Sequence, residues 1–261
     1  MTKYGFIGLG NMAKAIIGGM LNSGEFDKSA IFGYDISSSA AESAKELCII
    51  ADSIRDIIAK TDIIVLAVKP QVIDNVLNEL KGKGLKVISI VAGKSTQYIQ
   101  GVLGGDSKIV RVMPNINAFV GAATSAYAPT SNAEGALCDE TIKIFETIGT
   151  IIRLDEKYFS VFTALCGSAP AFTYMYIDAL AKAAVKGGLP RETAQKLAAD
   201  MVMGSAKMVL ESNTHPIELA DRVCSPAGTT IEGVLALQKN GFETAVSEAI
   251  QAVIDRDKQL A

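Results

Sequence analysis

Two stretches of this chain carry residue types that could do chemistry. The first is Phe6-Ile7-Gly8-Leu9-Gly10-Asn11-Met12-Ala13. Gly8 and Gly10 match the first two glycines of a Gly-x-Gly-x-x-Gly turn, and Ala13 stands in the third place. The turn follows an apolar run that reads as a strand, and it opens a segment with helical spacing, the context this motif requires. Residues Ile7 to Met12 would then wrap the pyrophosphate of a dinucleotide. Gly8 would make the tight turn, Gly10 would admit the phosphates to the backbone, and N–H groups at the helix start would receive them. An ordinary strand–helix turn is the plainer alternative. The second stretch is Ser225-Pro226-Ala227-Gly228-Thr229-Thr230, directly ahead of a helical pattern. Loop N–H groups and two hydroxyls at a helix N-terminus form a small anion site suited to a carboxylate. The plainer alternative is a capping turn with Thr as N-cap.

Further residues support the first site. Asp35 follows the second strand, where a carboxylate accepts hydrogen bonds from an adenosine ribose and repels a 2′-phosphate. No Arg follows within reach, so the pattern favours NADH over NADPH. The alternative role for Asp35 is N-cap of the helix near Ser38. Ala67-Val68-Lys69-Pro70, Ala92-Gly93 and Asn115 end later strands at the same edge, where open α/β sheets bind ligands. Ala92 and Gly93 would let a nicotinamide ring lie close to the backbone. His215, ahead of Pro216 at a helix start, reads as structural. Cys224 lies beside the second site but has no histidine base near it in sequence.

Something must position these residues. Up to about Arg153, β-branched runs (Tyr4–Ile7, Ala30–Tyr34, Ile63–Val68, Lys86–Val91, Ile109–Met113, Thr124–Tyr127, Thr150–Ile152) alternate with helical stretches. Several lack polar alternation, as parallel strands covered on both faces do. That rhythm specifies an α/β fold with an N-terminal Rossmann-type doubly wound sheet. After Asp155 the runs stop, and Ala, Leu, Met and Lys recur at helical spacing. The expected organisation is a dinucleotide-binding domain over 1–155 and an all-α domain over 156–261. The segment Ala169–Val185 is apolar almost all round, so it should be buried on every side, as at the centre of a dimer interface.

Composition sets outer limits. The 261 residues are 49% hydrophobic and 20% charged, with a net charge of −3. No Lys/Arg stripe exists to bind nucleic acid. No apolar run reaches the roughly 18 residues of a membrane span. The N-terminus enters a strand at once, so no secretory leader is expected, and a cytoplasmic location follows. Four scattered cysteines read as reduced packing residues. A single histidine rules out a multi-histidine metal site, and no metal is expected.

Gly-Leu-Gly-Asn-Met-Ala (8–13), Ala-Val-Lys-Pro (67–70), Val-Met-Pro-Asn (112–115), Gly-Ser-Ala-Pro-Ala-Phe (167–172), Gly-Leu-Pro-Arg (188–191) and Ser-Pro-Ala-Gly-Thr-Thr-Ile (225–231) stand in order along the chain. Together they resemble the pyrroline-5-carboxylate reductase family. The family usually has Gly where this chain has Ala169 and Ala227. The resemblance implies hydride transfer from NADPH or NADH to the C=N bond of 1-pyrroline-5-carboxylate, giving L-proline. It implies that Ser225, Gly228, Thr229 and Thr230 bind the substrate carboxylate. The Thr230 hydroxyl would lie near the ring nitrogen as the catalytic group. It also implies a homodimer of intertwined helical domains, assembled in many members as a decamer of five dimers. The alternatives are another two-domain imine or β-hydroxyacid reductase and, in a different class, a non-catalytic nicotinamide-nucleotide sensor. The hydroxyacid enzymes carry a catalytic Lys on the long interdomain helix, where this chain has only Lys182 and Lys186, far from the helix start.

Overall fold

All four residues of β1 (Tyr4–Ile7) are buried in the computed structural model, which describes residues 1–260. A strand enclosed on both faces needs cover on each side, and successive β–α units supply it. After β1 come α1 (Asn11–Asn22), β2 (Ile31–Tyr34), α2 (Ser38–Ala44), β3 (Ile49–Ile50), α3 (Ile54–Lys60), β4 (Ile63–Leu66) and α4 (Ile73–Leu80). The chain continues through β5 (Lys86–Ser89), α5 (Thr96–Leu103), β6 (Lys108–Met113), β7 (Ala123–Pro129), α6 (Ala136–Glu146) and β8 (Gly149–Arg153). The strands form one sheet in the order β3-β2-β1-β4-β5-β6-β7-β8. The order reverses between β1 and β4, and ligands bind beyond the strand ends at such a switch point.

Side-chain alternation divides the core into two layers. Tyr4, Phe6, Ile63, Val65 and Ile88 belong to one apolar cluster, which α1 and α6 cover with Ile16, Ile17 and Phe145. Ile7, Ile64, Leu66 and Val87 belong to the other, covered by Ile57, Leu77 and Ile99 of α3, α4 and α5. The doubly wound expectation holds, with two additions and one correction. The two-residue β3 and the helix α6 were not anticipated. The pairing of β6 with β7 is antiparallel, so the sheet is not parallel throughout. A 3-10 turn at Ile116–Val120 links those two strands and returns the chain without a crossover helix.

This first unit runs on through Gly167 and also takes in the chain from Val253, so it does not stop at Asp155. The reason is packing. Phe159 and Phe162 of the short α7 (Phe159–Phe162) bury themselves against Ala126 and Ala128 of β7. A π-helix, Thr163–Ser168, follows.

The second unit, Ser168–Ala252, is helical. It holds α8 (Ala169–Lys186), α9 (Arg191–Ser212), α10 (Pro216–Val223), α11 (Thr229–Lys239) and the start of α12 (Phe242–Leu260). Helices α8 and α9 meet through the small side chains Ala181, Ala194 and Ala198. Apart from that seam, α8 is not buried on every side within the chain: Ala181 is its one buried residue, while Met175 is 72% exposed. Lys182 and Arg191 both pair with Asp178 at the surface. No helix among the described residues is long and apolar enough to cross a membrane.

Candidate active site

The glycine turn is built by close approach of backbones. Gly8 has φ +97°, and a Cβ there would lie 2.6 Å from the Ala67 carbonyl oxygen. Only glycine fits both demands. Its N–H donates to the Tyr34 carbonyl at 2.8 Å, which ties the end of β1 to the end of β2. Gly10 is the N-cap of α1 and supplies no side-chain cap. A Cβ on it would meet nothing within 4 Å. The first-turn N–H groups of α1 therefore lack a capping side chain and open onto free space, an arrangement that fits a pyrophosphate.

Asp35 does more than either role expected of it. Its Oδ2 accepts the Leu9 N–H at 2.8 Å and its Oδ1 accepts the Ser37 N–H at 2.8 Å. The N-cap of α2 is Ser37, whose Oγ accepts from the Ala40 N–H, so Asp35 is not the cap. Leu9 is fully buried. The carboxylate thus fixes the middle of the glycine turn, and each oxygen keeps a lone pair for a further donor.

A cavity of about 490 Å³ opens at this point. It brings together Ile7, Gly8, Gly10, Asp35, Ala67, Val68 and Lys69, all expected from the sequence. Ile54, Val72 and Val76 form its apolar wall, with Asn75 and Glu79 also lining it. Those residues were missed, although the spacing of Val72, Val76 and Glu79 after Lys69-Pro70 is that of one helix face turned to the strand end. Ile36, 94% exposed, borders the same cavity.

Leu9, Asn11, Met12, Pro70, Ala92, Gly93 and Asn115 do not line it. Met12 packs against the core. Asn115 is buried, and both ends of its amide are engaged. Its Nδ2 donates to the Cys166 carbonyl at 3.0 Å, and its Oδ1 accepts the Thr124 N–H at 3.3 Å.

In the second unit, Ser225 to Gly228 form a turn closed by the Gly228 N–H on the Ser225 carbonyl at 3.0 Å. A Cβ at Gly228 would run into Ser225 Oγ. Gly228 is the N-cap of α11 and gives no side-chain cap. Thr229 and Thr230 are the first two helical residues, so neither is the N-cap. Their hydroxyls and the first-turn N–H groups stand together at an exposed helix start. His215 caps α10, its Nδ1 accepting the Ile217 N–H at 3.2 Å, which is a structural role. All four cysteines are free, and burial pushes the Cys48 thiol up to about 11.

A glycine turn with an uncapped helix at a sheet switch point defines a Rossmann-type, nicotinamide-dinucleotide-dependent oxidoreductase. Comparison with known proteins agrees. Residues 3–93 match the family model for coenzyme F420-dependent NADP oxidoreductases, and residues 156–260 match that for pyrroline-5-carboxylate reductase dimerisation. The chain is 40% identical to pyrroline-5-carboxylate reductase of Escherichia coli, over 99% of this chain and 98% of that one. It superposes on the Streptococcus pyogenes enzyme with a TM-score of 0.90 at 35% identity, covering 99% and 98% of the two chains. The Plasmodium falciparum enzyme with NADP bound gives a TM-score of 0.89 at 32% identity, with the same coverage. The chain belongs to the pyrroline-5-carboxylate reductase family.

Proposed function

We propose that this chain reduces the C=N bond of 1-pyrroline-5-carboxylate with NAD(P)H to give L-proline. The observation that carries this reading is the uncapped start of α11, where two hydroxyls and free N–H groups suit a small carboxylate. The same chain carries a cavity suited to a dinucleotide. With its adenosine end bound there, the reduced dinucleotide would supply the hydride. The rest is positioning by the chain. Ser225, Gly228, Thr229 and Thr230 hold the carboxylate, and the Thr230 hydroxyl faces the ring nitrogen. A cyclic iminium is already electrophilic, so no strong base is needed, in keeping with a site that has none.

Ile7 to Met12 cradle the pyrophosphate, and Lys69 and Pro70 border the dinucleotide. Ala92, Gly93 and Asn115 flank the nicotinamide, with Asn115 acting through the backbone it holds. Ile36 and the Val72–Val76 face cover the adenosine end. Asp35, pinned by two backbone N–H groups, meets the ribose with a fixed negative charge, which favours NADH over NADPH. The protein acts in the cytoplasm as a homodimer through its helical segment, and five dimers assemble further as a decamer. The deciding assay follows the oxidation of NADH and of NADPH with 1-pyrroline-5-carboxylate, against 2-keto acids and buffer. Turnover with a 2-keto acid alone, or with no substrate, overturns the proposal.

A further inference from the structure

The carboxylate of Glu156 reaches back across the first unit to the start of α5. Its Oε1 accepts the Thr96 N–H at 2.9 Å and its Oε2 accepts the Thr96 hydroxyl at 2.6 Å. Oε1 also takes Arg111 Nη1 at 2.9 Å, and the Arg111 guanidinium lies 4.6 Å over the Phe159 ring. Both charged side chains are largely covered, at 12% exposure for Arg111 and 24% for Glu156. This is no loose surface pair. Removing the carboxylate leaves a largely buried guanidinium and two donors without their acceptor.

Thr96 is where the loop after β5 ends. The loop starts with the Val91 N–H on Ser89 Oγ at 3.3 Å, passes Ala92 and the left-handed Gly93, and reaches Ser95, the N-cap of α5. Ser95 Oγ accepts the Tyr98 N–H at 3.1 Å, and Glu156 takes the Thr96 N–H. The two residues therefore divide the orphan donors of the helix start, and a negative charge sits at the positive end of α5. One end of the loop is fixed by a residue of its own strand. The other is fixed from far along the chain, just after β8.

We infer that Glu156 is a positioning residue for the hydride-transfer end of the site, holding the Ala92–Gly93 backbone where the nicotinamide must lie. This rests on the proposed placement of the nicotinamide against that loop. An error of about 1 Å in such a placement costs up to 10²-fold in rate. The inference is selective: the adenosine end, at Asp35 and α4, shares no hydrogen bond with Glu156 and should not respond to its loss.

The test uses the full-length protein with Glu156→Ala, Glu156→Gln and Ala92→Val. NADH and ADP-ribose affinities are measured beside kcat and the two KM values. Glu156→Ala should lower kcat/KM for the reduced dinucleotide by roughly 10- to 100-fold, leaving ADP-ribose affinity within about twofold of wild type. Glu156→Gln keeps size and one acceptor, and should recover part of that loss. It also carries the test if the alanine variant fails to fold. An equal loss for NADH and ADP-ribose means that the carboxylate only stabilises the unit, which overturns the inference. Wild-type kinetics in both Glu156 variants overturn it too. Ala92→Val separates the underlying reading. If it weakens NADH binding while the Glu156 variants keep wild-type kinetics, only the positioning role fails. If it leaves NADH binding and turnover unchanged, the placement of the nicotinamide fails and the inference with it.

Discussion

In the first unit, β1 and β4 are buried at every position, and two apolar layers close over the sheet from both faces. In the second unit, α8 and α9 together bury only Ala181, Ala194 and Ala198. Tyr174, Met175, Met203 and Leu210 there are 54–81% exposed. Both units draw on the same apolar-rich composition, but only the first builds extended buried apolar layers within one chain. Monomeric proteins rarely leave apolar area on that scale in water. The first unit therefore builds its candidate cofactor cavity within one chain. The second, which lies in the part that matches the dimerisation family model, leaves exposed apolar faces of the kind a further copy of the chain would cover.

The most severe break in that contrast is Met175→Asp. If a second copy covers Met175, the variant buries an uncompensated charge, worth about 3–5 kcal/mol. Dimer affinity should fall by at least roughly 100-fold, with activity lost in parallel, as read by light scattering and steady-state kinetics. A well-folded, fully active monomer would refute the dimeric completion of the helical unit.

Thr230→Val probes the same unit without disturbing its packing. Valine keeps the shape and removes one donor. Losing a hydrogen bond to a charged group costs roughly 1.5–3 kcal/mol, or about 10- to 150-fold in kcat/KM. NADH affinity should stay at the wild-type value. Unchanged turnover would reduce Thr230 to a helix-start residue.

Asp35→Ser addresses the first unit, and the structure sharpens what to expect. The substitution removes a fixed charge from the place proposed for the ribose and also releases the Leu9 and Ser37 N–H groups. NADH use should fall by about tenfold, the worth of roughly one charged hydrogen bond. NADPH use should fall less, because like-charge repulsion is relieved at the same time. The ratio of the two kcat/KM values then moves toward NADPH. A ratio that stays fixed while both fall would leave Asp35 as a brace of the glycine turn alone.

These two residues also show what could be read in the sequence. The glycine turn was legible because its chemistry is local: spacing, strand before, helix after. Asp35 was recognised as important, but its bond to Leu9 was not, since that contact joins two strand ends and leaves no periodic trace. Glu156 was missed for the same reason, lying far along the chain from Thr96. The wall of the cavity at Val72 and Val76 was legible in principle from its helical spacing but was missed. β3 is too short to carry a pattern. α6 did carry one, with Leu137, Cys138, Thr141, Ile144 and Phe145 buried at helical spacing, and was missed all the same. The antiparallel β7 depends on a short 3-10 connection that propensity alone does not reveal.

The smallest expected effect lies in the turn ahead of α11. Ala227 has φ +56°, one of two non-glycine residues of the chain described in that region. It occupies the third position of a turn whose second residue is Pro226, where positive φ normally calls for Gly or Asn. The pyrroline-5-carboxylate reductase family usually has Gly here, and the backbone angle supplies the physical reason. A left-handed alanine costs about 1–2 kcal/mol through its Cβ. Glycine removes that strain but loses roughly 0.5–1 kcal/mol more backbone entropy on folding. The two terms oppose each other and the strain is larger, so Ala227→Gly should stabilise the fold by about 0.5–1 kcal/mol. In a chain of this size that is a rise of roughly 1–4 °C in Tm. Substrate KM should barely move, because the Gly228 N–H bond to the Ser225 carbonyl and the helix start remain in place. A lower Tm would mean that the alanine is not strained and that its restriction of the unfolded chain outweighs any relief. A higher KM at unchanged Tm would mean that the methyl group itself holds the loop in register for the carboxylate.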